Sequence, residues 1–342
     1  MSPPPKTMTA AVLRRAREPI TFEERRVPDP GPGQVRIRVE ACGICACDLR
    51  LQEGYFDLAK LPVVPGHEVV GRIDAVAPDV SAWVPGDRVG VSWIWSTCGV
   101  CDACVAGDDP GCARQEVCGV TVDGGYAPYM VAPAAFVTRV PDELSAAEAA
   151  PLFCAGLTTY AGLQAAGVAA GMTVAVQGLG GLGHLGLQYA NALDAKVVAI
   201  TRGAGKVDLA RELGALEVID AAEDDPAAAL RDLGGADVVL ATAPSGRAMG
   251  PLLGGLKPRG ALVIVGASAE SFPVAPMTIV GGRLRVIGSA AGSRRQMREA
   301  LDLAVRHAIR PIVETCRLDE VPRVFERLAR DEVRFRAVIE FP

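Results

Sequence analysis

The residues best suited to chemistry gather around Val63-Val64-Pro65-Gly66-His67-Glu68-Val69-Val70-Gly71. The chain has three histidines, and this one follows a Pro-Gly turn, with a carboxylate and an apolar, strand-like run directly behind it. Imidazole nitrogen and thiolate sulphur are the donors zinc takes most readily, and cysteines stand on both sides. Cys42, Cys45 and Cys47 lie upstream in Ala41-Cys42-Gly43-Ile44-Cys45-Ala46-Cys47-Asp48, and Cys154 lies downstream in Ala150-Pro151-Leu152-Phe153-Cys154-Ala155-Gly156. One cysteine from each run, joined to His67, makes a Cys2His set with a fourth position open. That is how catalytic zinc is held, whereas structural zinc is closed by four protein donors.

A second group is closed in this sense. Cys98, Cys101, Cys104 and Cys112 follow C-x2-C-x2-C-x7-C, with Gly99, Gly107 and Gly111 among the intervening residues. Four thiolates gathered by tight turns satisfy a tetrahedral zinc and leave no position for a substrate. The ion would stiffen a lobe, about residues 95–115, too poor in apolar residues to hold itself. Cys118 reads as a packed thiol. Ten cysteines in a chain with no export signal argue against a disulfide framework and for metal or thiol chemistry in a reducing cytoplasm.

A third feature binds rather than reacts. Met172-Thr173-Val174-Ala175-Val176-Gln177 reads as a strand, and Gly178-Leu179-Gly180-Gly181-Leu182-Gly183-His184 leads from it into a helix running through Gln188 and Ala190. Gly178, Gly180 and Gly183 match the dinucleotide fingerprint in its required setting. They allow a tight turn, approach to the pyrophosphate and close helix-on-strand packing, with the helix N-terminus toward the phosphates. His184 reads as a packing or cofactor-edge residue, and His307 as plain surface. The next strand, Lys196-Val197-Val198-Ala199-Ile200, runs into Thr201-Arg202-Gly203, with Lys206 soon after. An NAD site would carry a carboxylate there for the ribose 2′-hydroxyl. A guanidinium in its place suits a 2′-phosphate, which favours NADP, with NAD as the alternative.

These groups need two kinds of scaffold. At 342 residues the chain exceeds one typical core, so two domains are expected. From Thr9 to about Ala150 short apolar alternations broken by Pro and Gly predict a β-rich, barrel-like domain, with strands over 34–40, 69–76 and 84–91. From about Ala155 strands alternate with alanine-rich helices, which predicts a parallel sheet of βαβ units. Its further strands are expected over 236–241, 260–266 and 284–288, with a helix over 206–213 capped by Gly214. The last strand, 336–341, is expected to return to the first domain. Met1–Thr7 reads as a disordered tail.

Half the residues are apolar, the net charge is −5 and no basic block occurs, so neither nucleic acid nor an anionic membrane surface is a partner. No charged residue lies between Ala149 and Leu193, but repeated Gly and Gln164, Gln177 and Gln188 cut that stretch below the roughly 18 apolar residues a membrane span needs. The composition fits a soluble globular enzyme.

Taken together, Gly66-His67-Glu68, the four-cysteine lobe, Cys154-Ala155-Gly156-Leu157-Thr158-Thr159-Tyr160 and the glycine loop resemble the zinc-dependent medium-chain alcohol dehydrogenase family over nearly the whole chain. The resemblance implies an α/β fold with a β-rich part: a GroES-like catalytic domain (1–154 and 290–342) and a Rossmann domain with a doubly wound parallel sheet (155–289). It implies two zinc ions per chain, with Cys45, His67 and Cys154 on the catalytic one and Glu68 as a neighbouring carboxylate able to approach it. It further implies cofactor contacts from Gly181 and Leu182, Thr158 against the nicotinamide, Arg336 near the pyrophosphate, and Tyr55 and Trp93 as walls of the substrate pocket. The expected reaction moves hydride between the nicotinamide and an alcohol, aldehyde or ketone while zinc acidifies the hydroxyl or polarises the carbonyl. A homodimer or homotetramer is expected from the same source.

One position departs from the family pattern. The ligand cysteine is followed there by a basic residue or His, then Ser or Thr, then Asp; here the run is Cys45-Ala46-Cys47-Asp48, and a frequent later His is Arg50. A thiol is a weaker hydrogen-bonding group than the hydroxyl that begins the family's proton relay, so Cys47 is itself a candidate catalytic residue. The departure motivates a second reading on the same fold, an NADPH-dependent reductase of conjugated C=C or iminium bonds. A third reading, a cofactor-binding protein without turnover, is disfavoured because all three open-site donors are present.

Overall fold

The computed structural model describes residues 4–342, which group into two compact units. The tail expected over Met1–Thr7 lies outside the described residues at its first three positions. Its last residue instead opens the strand Thr7–Val12, because that strand pairs antiparallel with Thr21–Arg26 and buries Ala10, Ala11 and Val12.

The first unit takes the chain through Cys154, then Ala291–Val305, then Pro311 to the end. Its frame is a seven-stranded sheet in the order Val313–Cys316, Arg336–Glu340, Gln34–Ile44, Glu68–Val76, Arg88–Val91 and Thr138–Arg139, with Tyr129–Pro133 also paired to Gln34–Ile44. Val35, Ile37, Val39, Val69, Ile73, Val89 and Val91 form its core. Arg36 and Arg88 break simple alternation, for both are buried. Arg36 is held by Asp74 at 2.9 Å, and Arg88 donates to the carbonyls of Pro141 and Leu144 at 2.8 and 2.6 Å. The closing strand Arg336–Glu340 pairs antiparallel with residues 41–44, so the end of the chain lies in the sheet that carries Cys42 and Ile44.

The second unit holds Ala155–Ala290 and Arg306–Arg310. Arg306–Arg310 group here because the side-chain amide of Gln188 donates to the Arg310 carbonyl at 2.9 Å and accepts from its N–H at 3.0 Å. Six strands, all parallel, run in the order Glu217–Asp220, Lys196–Thr201, Thr173–Gln177, Ala236–Ala241, Leu256–Ile264 and Arg285–Gly288. Numbered along the chain this is 3-2-1-4-5-6, the doubly wound arrangement that binds dinucleotides beyond the carboxyl ends of its strands. The edge strand Glu217–Asp220 escapes a periodicity reading because it is four residues long and only Ile219 in it is buried. The helix expected over 206–213 spans Val207–Glu212, with Gly214 in the left-handed region after it. The uncharged stretch 149–193 contains the helix Ala155–Ala166, the strand Thr173–Gln177 and the helix Gly183–Ala192. Among the described residues no helix is long and apolar enough to cross a membrane.

Candidate functional site

In the first unit, His67 is placed by the turn before it. Gly66 has φ +100°, and a Cβ there would stand 2.5 Å from the Tyr126 ring and 2.8 Å from the Cys42 sulphur, so only glycine serves. The chain then enters the strand Glu68–Val76 with His67 and Glu68 wholly buried. Cys45 stands at the N-cap of the helix Ala46–Gln52, and Asp48 in its first turn folds back. One Asp48 oxygen accepts from the Cys45 N–H at 2.8 Å and from the Tyr126 hydroxyl at 2.9 Å, while the other lies 3.3 Å from His67 Nδ1. A carboxylate this near Nδ1 favours a proton on that nitrogen, which would leave Nε2 to act as a donor atom. Both ring nitrogens of His67 are buried with no hydrogen-bond partner among the described residues, Nδ1 meeting Asp48 only as a close polar contact. Burial opposes a positive charge on His67, but Asp48 and the Cys45 thiol outweigh it and hold the pKa well above the ordinary value.

Cys45, His67, Glu68 and Cys154 each offer a donor atom, all within 4.8 Å of one another. The Cys45 and Cys154 sulphurs are 3.9 Å apart. Two thiolates about 2.3 Å from a tetrahedral zinc lie about 3.8 Å from each other. The spacing, the two soft sulphurs and the unsatisfied imidazole nitrogen therefore suit a zinc ion. Glu68, the carboxylate expected to be able to approach the metal, stands in this group with the three donors that the resemblance implies. Its Oε1 accepts from Nη2 of buried Arg336, and burial pushes its pKa up to about 7 against the pull of that guanidinium. Arg336, expected near a pyrophosphate, thus stands against Glu68. Cys47 lies beside Cys45, and that thiol, together with the burial of Cys47 itself, pushes the Cys47 pKa up. Cys42 stays outside the donor group, buried with its sulphur near the Gly43 carbonyl.

The expected pocket walls differ in placement. Trp93 meets the His67 ring edge-on at 4.9 Å, Phe56 lies 5.6 Å from Trp93, and Tyr55 continues from Phe56 at 5.6 Å but is 55% exposed and carries Arg50 over its face. Asp48, Tyr126 and Phe56 are site residues that residue-type reasoning passed over. The signal for Asp48 was its position three residues after Cys45, the distance at which a side chain returns to cap a helix.

The four-cysteine lobe lies between the paired strands Ile94–Ser96 and Glu116–Val117. Its sulphurs are mutually within 4.8 Å, with Cys101 and Cys104 at 3.5 Å and Cys98 and Cys104 at 3.8 Å, again tetrahedral zinc spacing. The N–H groups of Val100 and Cys101 draw the Cys98 thiol down to about 6, a thiolate ready for a metal. Asp109 is buried and accepts from the Arg294 N–H at 2.8 Å and from its guanidinium at 3.1 Å, and that guanidinium stacks on Phe136. Cys118 packs against the Gly66 carbonyl.

In the second unit, a Cβ on Gly183 would fall 1.7 Å from the Gly178 carbonyl oxygen, so helix and strand touch backbone to backbone, while Gly180 faces open space. Gly181 and Leu182 lead into the helix Gly183–Ala192, where His184 is buried with Nδ1 2.9 Å from the Gly180 carbonyl. Lys206 donates to the Leu179 carbonyl at 3.0 Å, which ties it to the glycine loop. Thr201 is buried with its hydroxyl unpartnered among the described residues, and Arg202 beside it is exposed. Gly203 donates to Asp220 at 2.7 Å, and with the Ala222 N–H it holds that carboxyl below its ordinary value. Thr158 is buried on the helix Ala155–Ala166, and His307 is exposed.

Comparison with known proteins adds the following. Residues 31–142 match the family model of the alcohol dehydrogenase GroES-like domain, and residues 181–306 match that of the zinc-binding dehydrogenases. An alcohol dehydrogenase from Geobacillus stearothermophilus is 40% identical over 335 residues, 97% of this chain and 99% of that protein. Among solved structures, a CAD from Helicobacter pylori complexed with NADP(H) superposes with a TM-score of 0.88 at 25% identity, covering 98% of both chains. An NAD-dependent alcohol dehydrogenase superposes with a TM-score of 0.91 at 28% identity, covering 98% of this chain and 100% of the other.

Proposed function

The chain belongs to the family of zinc-dependent medium-chain alcohol dehydrogenases, and from that premise we propose that Cys45, His67, Glu68 and Cys154 form the catalytic metal site of an NADP-linked alcohol dehydrogenase or carbonyl reductase. The observation that carries this reading is the buried group of two thiols, one imidazole and one carboxylate with donor atoms within 4.8 Å. A bound zinc ion supplies Lewis acidity toward a hydroxyl or carbonyl oxygen, and a bound nicotinamide accepts or supplies the hydride.

The chain's own residues do the rest. Cys45 and Cys154 bring negative charge to the cation, and Asp48 keeps the His67 ring aimed. Trp93 covers the edge of that ring and, with Phe56, makes an apolar wall that keeps water from it. The lobe of Cys98, Cys101, Cys104 and Cys112 holds a second, structural zinc, giving two per chain. Around the cofactor, Gly178, Gly180 and Gly183 let the backbone approach the pyrophosphate. The exposed Arg202 and the unpartnered Thr201 hydroxyl suit a 2′-phosphate. The NADP(H)-bound relative supports that choice, and the NAD-dependent one marks the alternative.

The Cys47 thiol beside Cys45 favours one second reading, in which hydride adds to a conjugated C=C or iminium carbon without a hydroxyl relay. Self-association is supported by the helix Pro276–Gly282, which buries none of its residues. Met277 and Val280 are 73% and 66% exposed there, and Val286, on the strand that ends the order of the parallel sheet among the described residues, is 46% exposed.

The test is turnover of purified protein with NADPH and NADH against aldehydes, ketones, enals and a cyclic imine. Carbonyl reduction is expected, and turnover confined to enals or imines would replace it with the second reading. In Arg202→Ala the KM for NADPH should rise about tenfold, the loss of one charge-assisted contact, with that for NADH unchanged. Equal losses would overturn the cofactor choice.

A further inference from the structure

Glu68 reaches Arg336 over the middle strand of the sheet, at a position where that strand carries no side chain. The strands Gln34–Ile44 and Glu68–Val76 run antiparallel with Gly43 directly opposite Glu68. On the other side of Gln34–Ile44 runs Arg336–Glu340, with Val338 opposite Gly43 and Ala337 opposite Ile44. Glu68 and Arg336 therefore belong to strands flanking a common middle strand, and their ion pair crosses it. Side chains on strands two apart are ordinarily separated by the side chain between them. Here none stands between. A Cβ built on Gly43 would lie 1.9 Å from Glu68 Oε2, 2.8 Å from its Cδ and 3.0 Å from its Cβ.

The crossing leaves buried polar capacity unused. Glu68 Oε2 and Arg336 Nε have no hydrogen-bond partner among the described residues, although the pair is nearly or wholly buried. An unsatisfied buried carboxylate oxygen is costly unless something else meets it. The Glu68 carboxylate is also one of the four groups of the donor cluster.

We propose that Gly43 is a positioning residue of the metal site: its bare Cα opens the notch through which Glu68 crosses the sheet to Arg336 while keeping its carboxylate beside the cation. The proposal rests on reading the cluster as a zinc site. Its consequence is that residue 43, which offers no donor atom, governs how firmly zinc is retained. Any side chain there forces the carboxylate out of the notch, leaving a buried guanidinium without its partner and the cation without its neighbour.

The experiment measures zinc release from the zinc-loaded chain to the chelator 4-(2-pyridylazo)resorcinol, resolving the two ions, in four forms: the natural chain, Gly43→Ala, Glu68→Ala and the double variant. The natural chain should give up one zinc slowly from the buried cluster. Gly43→Ala should speed that release by about tenfold or more, the scale on which groups supporting metal ligands act, while release from the Cys98–Cys112 lobe is unchanged. In the double variant the rate should match Glu68→Ala alone, because the two atoms a Cβ would strike hardest, Oε2 at 1.9 Å and Cδ at 2.8 Å, are gone and only the 3.0 Å contact with the residue 68 Cβ remains. Should Gly43→Ala fail to fold, the double variant should fold again for the same reason. Release at the natural rate from Gly43→Ala, accelerations that multiply in the double variant, or a double variant that stays unfolded would each overturn the role of Gly43. A natural chain that holds zinc only in the lobe would instead overturn the reading of the cluster, and the proposal with it.

Discussion

The first unit holds two groups of candidate metal donors built in opposite ways. In the lobe, four thiols come from fifteen consecutive residues, 98–112, and three of them are partly exposed. The helix Asp102–Val105 between them buries nothing, and Val100 and Val105 are 73% and 78% exposed. In the sheet cluster the donors come from positions 45 to 154, each in or next to the end of a different helix, turn or strand, and Asp48, Tyr126 and Arg336 hold the donors from behind. The contrast teaches which comes first. With zinc in both, as proposed, the metal would make the structure in the lobe, where little else holds those turns, whereas in the sheet the structure brings the donors together by itself.

Substituting one thiol in each group breaks or sustains that contrast most directly. Cys154→Ser should lower kcat/KM by roughly three orders of magnitude or more, since Lewis-acid assistance supplies several kcal/mol at about 1.4 kcal/mol per tenfold. It should leave one zinc per chain and nearly the natural melting temperature. Cys104→Ser should also leave one zinc, yet melt earlier and keep most of its turnover per folded molecule. Zinc content, melting curves and kcat on both variants decide it. Equal losses of activity with equal losses of stability would mean that the two sites are not different in kind.

The next largest effect should come from Asp48→Asn. The amide keeps the shape but loses the charge and one acceptor, so it cannot serve the Cys45 N–H, the Tyr126 hydroxyl and His67 Nδ1 together. Zinc affinity of the sheet cluster should fall about 10- to 100-fold, measured by competition with a chelator, while the lobe's zinc is unmoved.

The same contrast explains what could be read from the chain alone. The lobe was legible because its ligands are local, and spacing suffices for a closed tetrahedron. The glycine loop was legible because Gly178, Gly180 and Gly183 sit between a buried strand and a helix. The sheet cluster is non-local: nothing in the spacing chooses Cys45 over Cys42 or Cys47, and the choice came through family resemblance. Cys45 caps a helix and faces Cys154, whereas Cys42 points into the core beside Gly66 and Gly125. The pairing of Arg336 with Glu68 was out of reach, because it depends on the order of three strands. The strands Thr7–Val12 and Glu217–Asp220 went unread because short edges carry little periodicity. Arg36 and Arg88 run against alternation because the Asp74 carboxylate on a sheet strand and the Pro141 and Leu144 carbonyls beyond the strand Thr138–Arg139 take up their guanidinium groups.

Support from behind also matters in the lobe, at one point. Arg294→Ala removes the partner of buried Asp109 and the cover of Phe136. About 2 kcal/mol of stability should be lost, since the guanidinium side of the pair is itself partly exposed. Amide exchange should quicken across residues 98–112 while zinc in the sheet cluster is retained. Exchange that quickens around His67 as well would show the two sites to be coupled.

The smallest effect should come from Tyr126→Phe. The ring is wholly buried and lies where a Cβ on Gly66 would fall, so Phe keeps the packing that shapes the His67 turn and deletes only the hydroxyl. Asp48 then retains the Cys45 N–H at 2.8 Å and the His67 contact at 3.3 Å. One hydrogen bond of about 1 kcal/mol is lost, or about a fivefold weakening of zinc binding at the sheet cluster. A loss as large as that of Asp48→Asn would mean that the phenol, rather than the Cys45 amide, sets the carboxylate's position. No loss at all would mean that the helix cap alone holds Asp48, and the support behind His67 would then be local after all.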